Sequence, residues 1–318
     1  MTTKDNGKAP TLKQFLQVVP VGPNEWESVY GGCVLALCVS AAFASLPTND
    51  AGRIYDVYSV LGTFLGPTST KTKLRFTVED IRTTKSFATR KVEVWQEFPD
   101  GNGSGTTSRR RTMIQLVDFH VREPATSVLS GMTYSKRPLH PESCCDDPDA
   151  LISQDQYLTE NQTSAISKQF HHVFPLFFRY LDMKPIPESM GVAKALGLNS
   201  AVRTSQDDLP LQQRTNAHWW RIKEVKGGGG MLTTPGERAA AVAFFDAVSA
   251  VSTLEFSLRF FSPPNPNEWL LHEQHTENAG MGRTFSTGRV WDKDGKCVAS
   301  MSQQSIMRAK AEREGAKL

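Results

Sequence analysis

Across its 318 residues the sequence has no apolar run of membrane-spanning length. The longest candidate, residues 33–46, is interrupted by Ser40. The opening MTTKDNGKAP lacks the charged-then-apolar order of a secretory signal, so the chain is expected to stay inside the cell. Charge of one sign is missing too: 36 Lys and Arg face 33 Asp and Glu, and the net +3 is too weak a field to argue for nucleic acid. Cysteine is sparse. The five (Cys33, Cys38, Cys144, Cys145, Cys297) are an odd number without metal spacing, and the adjacent pair is badly placed to bridge itself, so reduced, inert thiols are expected. The glycine tract at 227–230 is not followed by Gly-Lys-Ser/Thr, which excludes a phosphate loop, and GNGSG at 101–105 has the wrong spacing for a nucleophile elbow. His272 and His275 in HEQH would point to opposite faces of a strand, which argues for structural roles over a metal site.

What is present is a chain that does the same thing twice. An apolar helical run at 31–46 precedes strand-like segments at 54–64, 73–81, 87–97 and 112–119. A second helical run, AAAVAFFDAVSAVST at 239–253, precedes segments at 254–261, 269–275, 283–291 and 296–306. Local spelling recurs as well: KSFATRKV (85–92) lines up with RTFSTGRV (283–290), and FLGP (64–67) with FFSP (260–263). Both helices are apolar almost all the way round, so each should be enclosed by a sheet. Within the second stands one carboxylate, Asp246, costly to ionise unless it lies at a helix end or has a task.

The expected division is an N-terminal domain at 1–122, a Pro-, Ser- and Asp-rich surface linker at 123–172, a C-terminal domain at 173–308 and a tail at 309–318. FPLFFRYLDM (174–183) is predicted as the strand that opens the second domain, with HWWRIKEV (218–225) as the next. The last three residues, Ala316, Lys317 and Leu318, are one substitution from the Ser-Lys-Leu peroxisomal address, so an import receptor is an expected partner and the peroxisome the expected compartment.

A long apolar helix followed by several antiparallel strands fits an α+β hot-dog unit, here a tandem (double) hot-dog. VYGGCVLALCV (29–39), VEDIRTTKSFATRKVEVWQ (78–96), LEFSLRFFSPPNPNEWLLHEQ (254–274) and GRTFSTGRVWDKDGKCVASMSQQSIMR (282–308) resemble the acyl-CoA thioesterase II family, in a fungal-like peroxisomal variant. The resemblance implies hydrolysis of acyl-CoA, no cofactor, and a reacting group of Asp, Thr and Gln that hold one water; it places these on Asp246, Thr253 and Gln303. It also differs locally, with Tyr58 and Leu61 near positions where the family has histidines, Cys33 for a Gln, and Glu255 and Phe256 for an Asp-His pair.

In that reading Asp246 is the general base, poor solvation raises its basicity, and Thr253 and Gln303 fix the water. Backbone N–H groups at Gly31 and Gly32 would receive the oxyanion, and Arg90, with Lys91 and residues 109–111, would meet the CoA phosphates. Homo-oligomers through sheet edges are expected. Two alternatives stand beside hydrolysis of acyl-CoA: a hot-dog enzyme redirected to another thioester or lactone, and an inactive acyl-binding scaffold.

Overall fold

The structure, a computed structural model, describes residues 29–47, 52–99, 107–123, 134–138, 147–173, 178, 180–186, 189–194, 199, 201–223, 231–246 and 253–306, except for the side chains of His172, Val173, Val192, Ala193 and Asp246. The first helix, α1 (Gly31–Ala44), has no polar stripe and is correspondingly covered on several sides, with Val34, Ala36, Cys38, Val39 and Ala42 fully buried. Ser45 closes it, its backbone N–H reaching back to the Ala42 carbonyl while the Leu46 N–H reaches the Phe43 carbonyl.

In the second half the equivalent helix, α4 (Pro235–Asp246), starts with proline, which fits the first turn because no N–H is needed there. The Glu237 carboxylate accepts from the Thr233 and Thr234 N–H groups, and Thr234 Oγ1 accepts from Glu237 N, a reciprocal cap. The two helices pack antiparallel: Gly32 at the start of α1 lies against the Phe244 carbonyl near the end of α4, and Gly236 at the start of α4 lies against the Phe43 ring near the end of α1.

Around this pair curls one sheet, ten-stranded and antiparallel among the described residues. Its strands are β1 (Tyr55–Phe64), β2 (Arg75–Thr83), β3 (Phe87–Pro99), β4 (Thr107–Val121), β5 (Leu181–Pro185), β6 (Thr215–Ile222), β7 (Thr253–Phe260), β8 (Leu270–Gly280), β9 (Arg283–Asp292) and β10 (Cys297–Ile306). The order β2-β3-β4-β1-β7-β10-β9-β8 is a palindrome of the two halves, and β6 and β5 extend it beyond β8. A pseudo-two-fold axis therefore passes between β1 and β7. Leu61 and Ser257, each three residues before its motif's phenylalanine (Phe64, Phe260), pair directly across it.

Even the irregularities are duplicated. Tyr58 in β1 and Leu254 in β7, each six residues before that phenylalanine, are the extra residues of β-bulges, and so are Ile81 in β2 and Glu277 in β8, each seventeen after it. The same register makes Arg90 the counterpart of Ser286, because Arg90 pairs with Asp80 and Val117 as Ser286 pairs with Thr276 and Gln303. The likeness of KSFATRKV to RTFSTGRV is thus displaced by two residues from the ladder equivalence.

The tandem hot-dog is the anticipated architecture, and its eight core strands occupy the anticipated segments. Three local readings change. Of 174–183, only residues 181–183 are strand; Phe178 and Tyr180 are helical, while 174–177 and 179 lie outside the described residues. The linker is not all loop but holds α2 (Gln154–Asn161) and α3 (Ser164–Val173), the first opened by Ser153 Oγ accepting from Gln156 N. The helix expected over 239–253 is Pro235–Asp246, and Thr253 already belongs to β7; residues 247–252 lie outside the described residues, as do Ala316, Lys317 and Leu318.

On the outer face of the second half, Trp219, Trp269, Leu271, Trp291 and Cys297 form a separate cluster against Leu151. Trp291 Nε1 donates to the Lys136 carbonyl at 2.7 Å and Lys184 Nζ to the Leu151 carbonyl at 2.6 Å, so described parts of the linker are tied across this face.

Candidate active site

Two of the three expected reacting residues meet. Thr253 Oγ1 donates to Gln303 Oε1 at 3.4 Å, and Gln303 is 1 % exposed. A bulge makes this possible. Along β7, Phe256 and Leu258 face the helices while Glu255 faces out, so strict alternation would turn Thr253 outward with Glu255. The extra residue Leu254 resets the register, Thr253 pairs with Ser305 instead, and its hydroxyl comes to the inner face that Gln303 and Ser305 occupy. Beside Gln303, on β9 and β8, Ser286 and Thr276 join hydroxyls at 2.9 Å, which continues a polar row across an otherwise apolar inner face.

Asp246 is the last residue of α4, and its side chain lies outside the described residues, so its backbone alone places it. That end of α4 is delivered to the start of α1. Tyr30 Oη donates to the Phe244 carbonyl at 3.0 Å and the two rings meet edge to face. A Cβ on Gly32 would stand 2.2 Å from that same carbonyl, so only glycine allows the approach. Gly31 touches the Phe64 ring, and Phe64 contacts Phe256, the β7 neighbour of Gln303. The start of α1 is thus joined to the end of α4 through Gly32 and, by way of Phe64 and Phe256, to the neighbourhood of Gln303. The start of α1 has no side-chain cap and no acidic residue in its first turn, which suits backbone N–H groups that must receive an anion.

Arg90 is not placed on a rim. It is 2 % exposed, with Nη1 bonded to Asp80, Thr83 and the Arg82 carbonyl and Nε to Ser45 at the end of α1. A guanidinium enclosed this way ties β2, β3 and α1 together, and solvent phosphates cannot reach it as anticipated. Arg109 and Arg111 lie over Trp95 and Arg110 over Phe98, on a solvated stretch of β4.

Sequence reasoning missed the role of His218 and gave His272 only a structural label. Both are buried on the inner face, with ring centroids 5.2 Å apart, and both contact Phe245, which also stacks on Trp220 at 4.3 Å. They form the floor under the residue that precedes Asp246. Burial holds His272 at about 4, and burial followed by the neighbouring His272 holds His218 well below its usual range, so both are neutral at pH 7. The signal was available, since alternation in HWW and LLHEQH puts both imidazoles on one face. His275 turns to the other face, to Thr287, as expected. Cys33 is buried and its thiol is pushed up to about 12. No cluster of three or more His, Cys, Asp or Glu among the described residues could hold a metal ion.

The sequence pattern of the acyl-CoA thioesterase N-terminal domain matches residues 22–110 and that of the acyl-CoA thioesterase C-terminal domain matches 182–307, together more than half of the chain. The chain belongs to the acyl-CoA thioesterase family. It is 33 % identical over 58 residues to acyl-CoA thioesterase 2 of Haemophilus influenzae, a stretch that spans 18 % of this chain and 20 % of that relative's length. Its fold is similar to the solved acyl-CoA thioesterase II TesB2 of Mycobacterium marinum, with TM-score 0.58, 18 % identity, and 89 % and 90 % of the two chains covered. A hot-dog protein from Alicyclobacillus acidocaldarius is similar too, with TM-score 0.56, 16 % identity, and 93 % and 91 % covered.

Proposed function

We propose that the protein hydrolyses acyl-CoA to a free carboxylic acid and CoA, with Asp246 as general base and Thr253 and Gln303 as the groups that orient the attacking water. The observation that carries the reading is the bulge at Leu254, which turns Thr253 onto the buried face of Gln303. A water held by the hydroxyl and the carboxamide is fixed for attack but not activated. The carboxylate removes its proton as the carbon–oxygen bond forms, and the thiolate of CoA departs when the tetrahedral intermediate collapses. Charge on that intermediate falls at the uncapped start of α1, where the Gly31 and Gly32 N–H groups stabilise it.

The same proposal includes two surroundings. The C-terminal tripeptide Ala316, Lys317 and Leu318 is read as a peroxisomal address, checked by following a tagged chain with and without it. Self-association through β2, an edge strand among the described residues, is checked by sedimentation.

The test of the activity is thiol release from a panel of acyl-CoAs by wild type and Asp246→Asn. Hydrolysis by wild type and its loss in the variant is the expected result. Hydrolysis that survives the substitution refutes the base, and tight acyl-CoA binding without hydrolysis in the wild type identifies a scaffold.

A further inference from the structure

The duplication predicts a second site, and the first half contains its remains. The register that relates the halves makes Val57 the counterpart of Thr253, because Val57 pairs with Phe119 across its bulge as Thr253 pairs with Ser305. Val117 is likewise the counterpart of Gln303, pairing with Val60 as Gln303 pairs with Phe256. The start of α4 replaces the start of α1. Both water-orienting side chains are therefore valines there, and nothing bound at this place would meet the chemistry found at the other.

The place is nonetheless hollow. A cavity of about 250 Å³ opens beside Val57, between the start of α4 and the first residues of β1. Its walls are apolar where Ile54, Val57, Ala239 and Pro263 contribute, and two arginines, Arg122 and Arg238, line it together with Asp56. Arg122 is held by both oxygens of Asp56, at 2.8 and 2.7 Å, while Arg238 bonds the neutral Leu232 carbonyl through Nε. With one carboxylate against two guanidiniums, the lining keeps one positive charge. At the start of α4 Pro235 has no N–H, the N–H groups of Glu237 and Arg238 are taken by Thr234 Oγ1 and the Thr234 carbonyl, and the Glu237 carboxylate caps the preceding turn, so the arginine more than the helix end would recognise an anion.

We propose that this cavity is a non-hydrolytic binding site for a carboxylate on a short or medium apolar chain, the class of product the neighbouring site releases. Its volume falls short of an ordinary ligand pocket of roughly 300–1,000 Å³, so it suits a free acid and not a whole acyl-CoA. The identity of the ligand as product rests on the hydrolysis proposed above; the existence of the site does not. Occupancy would brace the start of α4 against β1, and through α4 the turn that ends in Asp246.

The test is calorimetric titration with sodium octanoate of wild type, Arg238→Gln and Val57→Leu, each checked for an unchanged melting profile. Arg238→Gln removes the charge and Val57→Leu fills the hollow. Octanoate binding that each variant weakens about tenfold or more is expected, from loss of a charge-assisted bond or of space, while kcat/KM on acyl-CoA without octanoate stays at the wild-type value. Absence of octanoate binding by wild type, or binding that both variants leave intact, overturns the proposal. Failure of the wild type to hydrolyse acyl-CoA is read separately and would remove the word product while leaving the site.

Discussion

Acid should loosen the floor beneath Phe245 before it touches the carboxylates. His272 is fully buried and held at about 4 in the folded chain, against 6.5 for the free side chain. The unfolded chain therefore binds a proton between these values that the folded chain refuses, and stability falls as pH falls through that window; above 6.5 both states are neutral and the effect vanishes. The full difference is worth about 3 kcal/mol, and about 2 kcal/mol of it is lost by roughly pH 5. His218, shifted the same way by burial and by its neighbour, adds in the same direction. The assay is urea unfolding at about pH 7.5 and about pH 5 for wild type and His272→Leu, with ΔG taken from the linear extrapolation. The variant should lose the part of the pH dependence owed to His272 while keeping that of the surface carboxylates. Equal pH dependence in the two proteins would refute the reasoning, since the imidazole would then be titrating as if in water.

Gly32→Ala places a methyl against the Phe244 carbonyl and the Tyr30 ring. It should cost roughly 1–3 kcal/mol as overpacking and lower kcat by spreading the two helix ends, read by denaturant unfolding and steady-state kinetics. Arg90→Met should lower stability by about 2 kcal/mol through lost bonds to Asp80, Thr83 and Ser45, while KM for acyl-CoA stays near the wild-type value; a raised KM with unchanged stability would return Arg90 to a phosphate-binding role. Burial raises the thiol pKa of Cys33 to about 12 and that of Cys38 also, so neither should react with a maleimide in the native state and both should in denaturant, followed by mass spectrometry.

The fold was legible because its signals are of the strong kind. Two helices without a polar face demand enclosure, and strand alternation repeated in the same order in both halves names the element that encloses them. The site was half legible. Thr253 and Gln303 were reachable through motif resemblance, yet strict alternation along TLEFSLRF sends Thr253 to the solvent side, and only the bulge at Leu254 reverses it. A bulge depends on cross-strand pairing that one strand's sequence does not carry. Arg90 misled for a similar reason: an arginine in a strand reads as exposed, but here Asp80 and Thr83 of β2 and Ser45 at the end of α1 converge on it. The helices in the linker escaped notice because QDQYLTEN and SAISKQFHHV are short and polar enough to pass for loop. The two-residue displacement between sequence likeness and ladder equivalence shows that a repeat can be real while its most obvious alignment is out of register.

That Asp246, Thr253 and Gln303 serve a single water is tested most directly by comparing Asp246→Asn with the triple variant Asp246→Asn, Thr253→Val, Gln303→Leu. Removing the base should lower kcat by roughly 10²–10⁴-fold, and because groups that act as a unit are not additive, the two further substitutions should cost little more. Three penalties that multiply, or an Asp246→Asn variant that still turns over at the wild-type rate, would contradict the account.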